Sequence, residues 1–423
     1  MYITESLHKE GGVTLRGWVQ ELRDLKKIKF IILRDKTGII QAILKDEPEE
    51  LSKAFASLGK EDYIEITGTL VNSMQAKLGK ELVPNKIKII SKSEQPFPLD
   101  ISGKIQNNPD TEIDWRFLQM RNPKILKIFE LQSEILRSLS SFLRKNGFTR
   151  INSSKLVGMA TEGGTEYFEL KYFDKKAYLA QSPQFYKELA LLSGLDKVFE
   201  TGMVYRAEPH HTPRHICEYV SFDFEMVCDK LEHVLKMEEK MLKKLFIDLN
   251  KNCSDCLNEY GIKLEFPNKI PRIKFDAAKH IVEAMGVSTE EGDLTPAGEK
   301  ALCEWAAKEK KSDFVFLTHF PFKHKVFYSK KAGKAALAFD LLYKGLEITS
   351  GGLREENYEK RKAQIIEKGL NPEGFDHLRF MKYGNPPHGG AGIGIERLTM
   401  QILGLKNVRE ASLTPRDPTR LTP

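Results

Sequence analysis

Four charged side chains recur at a spacing of two residues within residues 204–226. Arg206 and Glu208 form the first pair, and Asp223 and Glu225 form the second. Because side chains two apart on a strand share one face, a hairpin over this stretch would place both pairs on the same sheet. Charges on a buried face need partners, whereas on an exposed face they form ordinary salt bridges. The stretch therefore predicts either a charged binding site or a solvated hairpin.

A second set of residues, nearer the C-terminus, has types that suit metal and anion binding. Asp340 and Glu347 fall on successive predicted strands, where two carboxylates could share Mg²⁺ with phosphate oxygens. Gly351 and Gly352 would let the backbone approach a ligand closely, and Arg354 could clamp a carboxylate. Acidic pairs on neighbouring strands are more often structural than metal-binding, so both interpretations remain open.

Two predicted helix starts also carry polar groups. Ser182 is a suitable first residue for a helix on which Gln184 and Lys187 would share a face. That face could equally be solvated. The glycine-rich run 386–398 leads from a strand into a helix that contains Arg397. It lacks the surrounding βαβ unit of a dinucleotide site, so a Rossmann-type function is excluded.

The elements that must position these residues begin with a β pattern over residues 12–92. Five short alternating runs, with one helical segment near residues 49–59, predict a small barrel of the oligonucleotide-binding (OB) type. Phe30, Arg34 and Gln41 would offer a stacking ring, a phosphate partner and an amide that can read a base edge. The pattern around Phe30 also suits a core residue.

Proline and short polar residues mark a hinge between two larger regions. The predicted domains are the barrel at residues 1–95, the hinge at 96–122 and a second domain at 123–423. The second domain begins with a long amphipathic helix and contains a helical excursion at about residues 229–270.

The composition indicates a globular protein whose modest positive charge suits a polyanionic partner, although an ordinary basic protein has the same charge. The 423 residues are 41% hydrophobic and 30% charged, with a net charge of +7. No apolar run approaches the roughly 20 residues of a membrane span, and the N-terminus has no signal-peptide pattern, so we expect a cytoplasmic protein. The five cysteines are scattered, and Cys253 and Cys256 form a lone C-x-x-C without the other ligands of a zinc site.

Three stretches together resemble the signature motifs of class II aminoacyl-tRNA synthetases. They are residues 147–156, 204–226 and 386–398, although Ser154 stands where the family has proline. The resemblance implies an α+β multidomain fold: an N-terminal OB-fold barrel, then a catalytic domain with a mostly antiparallel β-sheet flanked by helices. It also implies ATP and tRNA as substrates, Mg²⁺ as the metal and a homodimeric assembly.

Residues between these motifs resemble the aspartyl group of the family. They are the run Gln181-Ser182-Pro183-Gln184-x-x-Lys187 and the ending Pro415-Arg416-Asp417. The resemblance implies that L-aspartate reacts with ATP to give aspartyl-adenylate and pyrophosphate, and is then transferred to the 3′ end of tRNA(Asp). Whether tRNA(Asn) is also charged stays open, because Gln20 matches neither residue expected there.

Carried over residue by residue, the resemblance implies five groups of site residues. The catalytic residues are Arg206 and Arg397. The ATP-binding residues are Arg206, Ala207, Glu208, Arg214, His215, Ile216, Tyr219, Glu347, Gly394, Ile395, Glu396 and Arg397. The aspartate-binding residues are Glu162, Ser182, Gln184, Phe185, Tyr186, Lys187, Arg206, Asp223, Ser350 and Arg354. The metal ligands are Asp340, Glu347 and Ser350, and the anticodon contacts are Gln20, Arg23, Phe30, Arg34, Gln41, Glu81 and Lys86.

The same resemblance implies that charge selects aspartate over asparagine. Lys187 and Arg354 would face the side-chain carboxylate, and asparagine would leave both cations unpaired. Two alternatives remain. One is an asparaginyl enzyme of the same subclass, against which Lys187 argues. The other is a non-catalytic RNA-binding relative, against which Arg206, Glu347 and Arg397 argue.

Overall fold

The computed structural model of the protein describes residues 1–9, 11–76, 78–103, 105–159, 166–209 and 212–423. The chain divides into two compact units, Met1–Ile125 and Leu126–Pro423. Glu162, predicted to bind aspartate, lies outside the described residues. None of the described helices is both long enough and apolar enough to cross a membrane.

The first unit contains the barrel that the alternating pattern predicts. Its elements are α1 (Ile3–Ser6), β1 (Gly12–Asp24), β2 (Ile28–Asp35), β3 (Gly38–Lys45), α2 (Glu49–Ala56), β4 (Tyr63–Asn72) and β5 (Lys80–Ser91). The strands close in the order β1-β2-β3-β5-β4. Val13, Leu15 and Val19 alternate along β1 and are buried, because every second side chain of a barrel strand points inward.

Short helices follow the barrel before the long helix begins. Helix α3 (Pro109–Asp114) starts where the Asn108 side chain accepts a hydrogen bond from the Asp110 N–H, and α4 (Arg116–Gln119) follows it. The amphipathic helix predicted beyond the hinge is α5 (Pro123–Lys145). The division between the two units falls inside this helix.

The second unit is organised around one large, mostly antiparallel sheet. The strands of the whole unit are β6 (Thr149–Arg150), β7 (Leu156–Val157), β8 (Glu169–Tyr172), β9 (Lys175–Leu179), β10 (Lys197–Tyr205), β11 (Glu218–Val227), β12 (Arg272–Lys274), β13 (Phe314–Thr318), β14 (Lys331–Ala332), β15 (Ala335–Ala336), β16 (Ala338–Tyr343), β17 (Leu346–Leu353) and β18 (His388–Gly394). The large sheet has the order β12-β13-β16-β17-β18-β11-β10-β6. Its two edge pairs, β12–β13 and β6–β10, are parallel.

Helices flank this sheet, as the fold prediction requires. They are α6 (Gln184–Leu192), α7 (Leu231–Asn252), α8 (Ser254–Glu259), α9 (Phe275–Ala284), α10 (Pro296–Lys310), α11 (Tyr358–Glu367), α12 (Leu378–Met381) and α13 (Ile395–Leu403), with short 3₁₀ turns at Phe322–His324, Pro372–Gly374 and Val408–Ala411. Helices α7 and α8 fall within the predicted excursion. Helix α7 packs against β17 and β18 at the centre of the sheet.

Glycines in β18 allow it to lie closely against β11. A Cβ atom on Gly390 would lie only 2.0 Å from the Phe224 carbonyl oxygen, and one on Gly392 would lie 2.9 Å from Asp223 Oδ1. Both distances are too short for a side chain. The glycine-rich run therefore leaves room beside the acidic residues of β11.

Candidate active site

One cavity of about 590 Å³ gathers most of the predicted ATP, aspartate and metal residues of the second unit. Those that line it are Ser182, Gln184, Lys187, Arg206, Glu208, Arg214, His215, Ile216, Tyr219, Asp223, Asp340, Glu347, Ser350, Arg354, Gly394, Glu396 and Arg397. Ala207, Phe185, Tyr186 and Ile395 do not line it. The cavity thus combines cations and carboxylates that are far apart in the sequence.

The hairpin between β10 and β11 supplies one wall of the cavity. Its register pairs Tyr205 with Glu218, so β10 ends before Arg206 and Glu208. These two residues therefore lie beyond the strand. The prediction that they share a strand face is wrong. Asp223 lies within β11, next to β18, and faces the cavity.

Buried ion pairs form one end of the cavity. Lys187 Nζ lies 3.0 Å from Asp223 Oδ1 and 3.2 Å from Glu225 Oε2, and the side chains of Lys187 and Glu225 are 1% and 0% exposed. Arg354 Nε donates to Glu225 Oε1 over 2.9 Å. Both cations already have carboxylate partners, which corrects the expectation that asparagine would leave them unpaired. Glu225, which the site prediction did not include, is the residue that connects them.

The charges of these buried groups stabilise one another. Burial alone would raise the pKa of Glu225, but Arg354 and Lys187 outweigh burial and hold that pKa below its usual range. Burial would likewise lower the pKa of Lys187, but Asp223 and Glu225 raise it. Glu225 and Lys187 are therefore both charged at neutral pH.

Helix α6 determines which predicted aspartate-binding residues reach this end of the cavity. Gln184 and Lys187 lie three positions apart on its buried face, and Gln184 Nε2 donates to Glu188 Oε1 over 3.0 Å. Phe185 and Tyr186 fall on other faces of the helix, which corrects their predicted role. The ring of Phe185 stacks on His377 with the ring centres 3.7 Å apart.

A second layer of buried charge supports α6. Arg361 Nη2 donates to Glu188 Oε2 over 2.8 Å, and His388 Nε2 lies 3.1 Å from the same oxygen. Burial alone would raise the pKa of Glu188, but Arg361 and His388 outweigh it and hold the pKa well below its usual range. This ion pair fixes the helix that carries Gln184 and Lys187.

The opposite end of the cavity holds arginines that suit phosphate groups. Both terminal nitrogens of Arg214 donate to Glu299 Oε2 over 3.0 Å. Arg397 donates from Nε to the Arg214 carbonyl and from Nη1 to the Glu347 carbonyl. Arg397 Nη1 also lies 3.8 Å from Glu347 Oε1. These contacts hold both arginines at the same end of the site.

Burial and neighbouring positive charge keep His215 neutral. Burial and the charges of Arg397, Arg214 and Arg206 lower the pKa of His215 to about 4. Its Nδ1 lies 2.6 Å from the Thr212 hydroxyl oxygen. His215 can therefore exchange hydrogen bonds with a ligand at neutral pH without carrying charge.

Two predicted nucleotide residues differ in what their side chains contact. The guanidinium carbon of Arg206 lies 5.8 Å from the centre of the Tyr219 ring, and both residues line the cavity. Glu396, in contrast, accepts hydrogen bonds from the Val220 N–H through both oxygens, at 3.2 and 3.1 Å. Its carboxylate therefore joins α13 to β11.

In the first unit, the outer face of the barrel brings predicted anticodon residues together. Arg23 pairs with Phe30 across β1 and β2, and Gln41 lies on β3 beside the same face. Gln41 Nε2 donates to Glu81 Oε1 over 2.8 Å. A half-buried ring next to a cation and an amide is an arrangement that can bind an unpaired base. Lys86 is exposed on β5, opposite Thr67 of β4.

Two other predicted anticodon residues have different surroundings. Arg34 is 3% exposed, and its Nη2 donates to Glu61 Oε2 over 2.8 Å while its guanidinium lies over Trp18. We correct the prediction that Arg34 contacts a phosphate, because its side chain is buried and paired with Glu61 inside the unit. Gln20 lies at a bulge of β1, and its Oε1 is buried without a hydrogen-bond partner among the described residues.

Comparisons with known proteins identify a family for each of the two units. A family model described as tRNA synthetases class II (D, K and N) matches residues 108–418, and one described as OB-fold nucleic acid binding domain matches residues 13–90. The chain belongs to the class II tRNA synthetases. The resemblance drawn from the three sequence motifs and the α+β fold that it implies are thereby confirmed.

Similar class II synthetases carry aspartate in their names. The chain is 42% identical to the aspartate–tRNA(Asp) ligase of Pyrococcus abyssi, over 100% of this chain and 98% of that protein. It is 41% identical to the aspartate–tRNA(Asp/Asn) ligase of Methanothermobacter thermautotrophicus, over 97% of this chain and 95% of that protein. Among solved structures, the asparaginyl-tRNA synthetase of Pyrococcus horikoshii complexed with asparaginyl-adenylate superposes with a TM-score of 0.93 at 31% identity, covering 100% and 99% of the two chains.

The residues predicted to hold Mg²⁺ in this synthetase share the cavity. Asp340 pairs with Ser350 across β16 and β17, and a register shift next to Leu342 brings Glu347 onto the same side. No group of three or more His, Cys, Asp or Glu side chains is arranged around a metal position within the described part of the chain. Two carboxylates still fit Mg²⁺, which keeps water and phosphate oxygens in its coordination shell.

Lys325 is a cation near this metal position that the sequence did not reveal. Its Nζ lies 2.7 Å from Asp340 Oδ2, whereas Asp340 Oδ1 is buried and accepts no hydrogen bond from the described residues. Burial would lower the pKa of Lys325, but Asp340 outweighs burial and raises it. Asp293 and His324 also line the cavity. No motif in the sequence marks these residues.

Two features noted in the sequence lie outside the cavity of the synthetase. Ser154 donates its hydroxyl to the Leu156 carbonyl over 2.8 Å, a local bond that proline could not make. Burial raises the pKa of both Cys253 and Cys256 to about 11, so both thiols are protonated at neutral pH.

Proposed function

We propose that this class II synthetase is an aspartate–tRNA ligase. It activates L-aspartate with ATP to aspartyl-adenylate and pyrophosphate, and then transfers aspartate to the 3′ end of tRNA(Asp). The observation that carries the proposal is the pair of buried cations, Lys187 and Arg354, at one end of a cavity whose other end presents Arg206 and Arg397. The names of its curated relatives support the same activity.

In the first step a carboxylate attacks an α-phosphate that is itself anionic. Arg206 would bridge these two groups and stabilise the charge that builds up in the in-line transition state. Arg397, Arg214 and His215 would bind the outer phosphates, while Glu208 and Tyr219 would contact the adenine. No side chain is needed as a nucleophile, because orientation and electrostatics supply the rate enhancement.

Carboxylates at the phosphate end provide for a metal ion. Asp340, Glu347 and Ser350 would hold Mg²⁺, which when bound supplies positive charge to the pyrophosphate leaving group. The arrangement supports this role because Asp340 keeps a buried oxygen free of hydrogen bonds from the described residues.

Selection of aspartate depends on sharing cations that are already paired. Aspartate would add a third carboxylate to Lys187 and Arg354, beside Asp223 and Glu225. Asparagine would leave the existing pairs intact and lose only the charge-assisted hydrogen bonds, each worth about 1.5–3 kcal/mol. The selectivity for aspartate over asparagine is therefore smaller than it would be if asparagine left both cations unpaired. Gln184 and Asp223 would face the α-ammonium group.

The barrel face is the proposed contact for the anticodon. Phe30 would stack on a base, and Gln41 and Glu81, which are hydrogen-bonded to each other, would read its edge. Arg23, Gln20 and Lys86 remain proposed contacts at the border of this face. The expected homodimer and its cytoplasmic location also remain predictions.

Charging assays test this function directly. Purified protein with ATP, Mg²⁺ and labelled aspartate should acylate a tRNA(Asp) transcript, and Arg206→Ala should abolish the reaction while tRNA binding is retained. A tRNA(Asn) transcript assayed in parallel determines whether the enzyme has relaxed tRNA specificity. Failure to acylate either tRNA with aspartate would reject the proposed function.

A further inference from the structure

Three cations at the phosphate end of the cavity each lie close to an acidic side chain. Arg214 pairs with Glu299, and Arg397 lies 3.8 Å from Glu347. Lys325 forms the third pair, with Asp340. Arg214 and Arg397 have proposed roles toward ATP, whereas Lys325 has none.

The surroundings of Lys325 hold its ammonium group in one place. The side chain is 17% exposed, and Nζ lies 3.6 Å from the centre of the Phe320 ring, which is fully buried. A cation that is bonded to a carboxylate and also lies over an aromatic face loses few of its favourable contacts on burial. Lys325 also lines the cavity, so the ammonium remains within reach of a bound ligand.

A purely structural salt bridge does not account for this position. Asp340 is 7% exposed on its side chain and belongs to the carboxylates that face the phosphate end. Asp293 lines the same region and adds further negative charge. Without Lys325, these carboxylates would repel a triphosphate carrying about four negative charges, since charges in a poorly solvated site interact strongly.

We propose that Lys325 is a fixed cation of the nucleotide site, which neutralises Asp340 and directs positive charge at the β- and γ-phosphates of ATP. This inference rests on the proposed function. Lys325 would complement the divalent ion: its charge is present before metal binds, and it offsets the repulsion between Asp340 and the incoming nucleotide.

Equilibrium binding of ATP to three variants tests the proposal without relying on turnover. Lys325→Met removes the charge, Lys325→Gln removes it while keeping a hydrogen-bond donor for Asp340, and Lys325→Arg keeps it. Lys323→Met is the matched control, because Lys323 is 74% exposed and pairs with the exposed Glu291. Affinities for ATP and for AMP are measured by calorimetry with and without Mg²⁺, and the melting temperature of each variant is recorded.

We expect Lys325→Met and Lys325→Gln to weaken ATP binding by about tenfold or more, the effect of losing one charge-assisted contact. The loss should be greater without Mg²⁺, because no divalent charge then replaces the ammonium. AMP binding should change less than twofold, and Lys325→Arg should restore ATP binding. If Lys325→Met does not fold, Lys325→Gln carries the test.

Two results would overturn the inference. One is ATP binding by the neutral variants that equals that of Lys323→Met, and the other is an equal loss for AMP and ATP. Failure of the unsubstituted protein to activate aspartate would instead reject the proposed function, so the two failures can be told apart.

Discussion

Replacing Glu225 by glutamine tests how the amino-acid end of the site holds its charges. Glu225 is fully buried and contacts Lys187 at 3.2 Å and Arg354 at 2.9 Å. Glu225→Gln keeps the shape of the side chain but removes the carboxylate that both cations share. Removing one partner of a buried ion pair costs about 3–5 kcal/mol. For a unit of this size, that corresponds to a fall in melting temperature on the order of 10 °C.

The same substitution should lower stability but raise the preference of the site for aspartate over asparagine. In Glu225→Gln the cations lack one negative charge, and the side chain of aspartate can supply it while asparagine cannot. We therefore expect the ratio of aspartate to asparagine affinity to rise by about tenfold, or ~1.4 kcal/mol. Aspartate should also recover part of the lost melting temperature. Thermal melts and calorimetric titrations with both amino acids measure these effects.

Glu169→Gln is the matched control for this prediction. Glu169 pairs with Lys176 on the surface, where the two side chains are 43% and 73% exposed, so the change should cost no more than about 1 kcal/mol. A Glu225→Gln protein as stable as this control would refute the reasoning. So would a variant in which aspartate affinity falls more than asparagine affinity.

Three further predictions concern the barrel, the sheet and the nucleotide. Phe30→Ala and Gln41→Ala should each weaken tRNA binding by about 1–3 kcal/mol in filter-binding assays and leave ATP–pyrophosphate exchange unchanged. Burial raises the pKa of Glu238 to about 8. Wild-type stability therefore falls as pH rises from about 4.5 to 8, because the unfolded chain loses this proton before the folded protein does. The melting temperature of Glu238→Gln relative to wild type should rise over that range. Arg206→Ala should abolish exchange and retain tRNA binding.

Each of these has a contradicting outcome. Loss of exchange in Phe30→Ala would mean that the substitution disturbs more than the barrel face. A constant difference in melting temperature between Glu238→Gln and wild type from pH 5 to pH 8.5 would mean that the pKa of Glu238 is not raised in the folded protein. Exchange by Arg206→Ala at the wild-type rate would remove Arg206 from the chemistry.

Local sequence patterns were sufficient to predict which side chains share a face of a strand. The alternation of Val13, Leu15 and Val19 predicted the inward face of β1, and the spacing of Asp223 and Glu225 predicted their common face on β11. Both inferences need only the two-residue period of a strand. The three signature motifs then indicated that the chain resembles the class II synthetases.

What the sequence could not reveal depends on contacts between distant segments. Alternation places Arg34 outward like Phe30, but Glu61 and Arg121 bond to one another beside it and cover it. Glu299 reaches Arg214 from 85 residues away. Lys325 likewise comes from a segment without a motif. Such pairings follow from tertiary packing, which residue spacing does not determine.

The bulge in β17 is a further example of a missing local signal. A regular strand would place Glu347 and Ser350 on opposite faces, because they are three residues apart. The register shift beside Leu342 brings both into the cavity. Without the family resemblance, the sequence would have separated two of the three proposed metal ligands.

ATP–pyrophosphate exchange with aspartate and asparagine in parallel tests the central claim most directly. Lys187 and Arg354 at the amino-acid end predict that aspartate supports exchange with a kcat/KM at least about 100-fold above that of asparagine, the effect of two charge-assisted contacts. Exchange that depends on asparagine, with none for aspartate, would contradict the account and identify the chain as an asparaginyl enzyme.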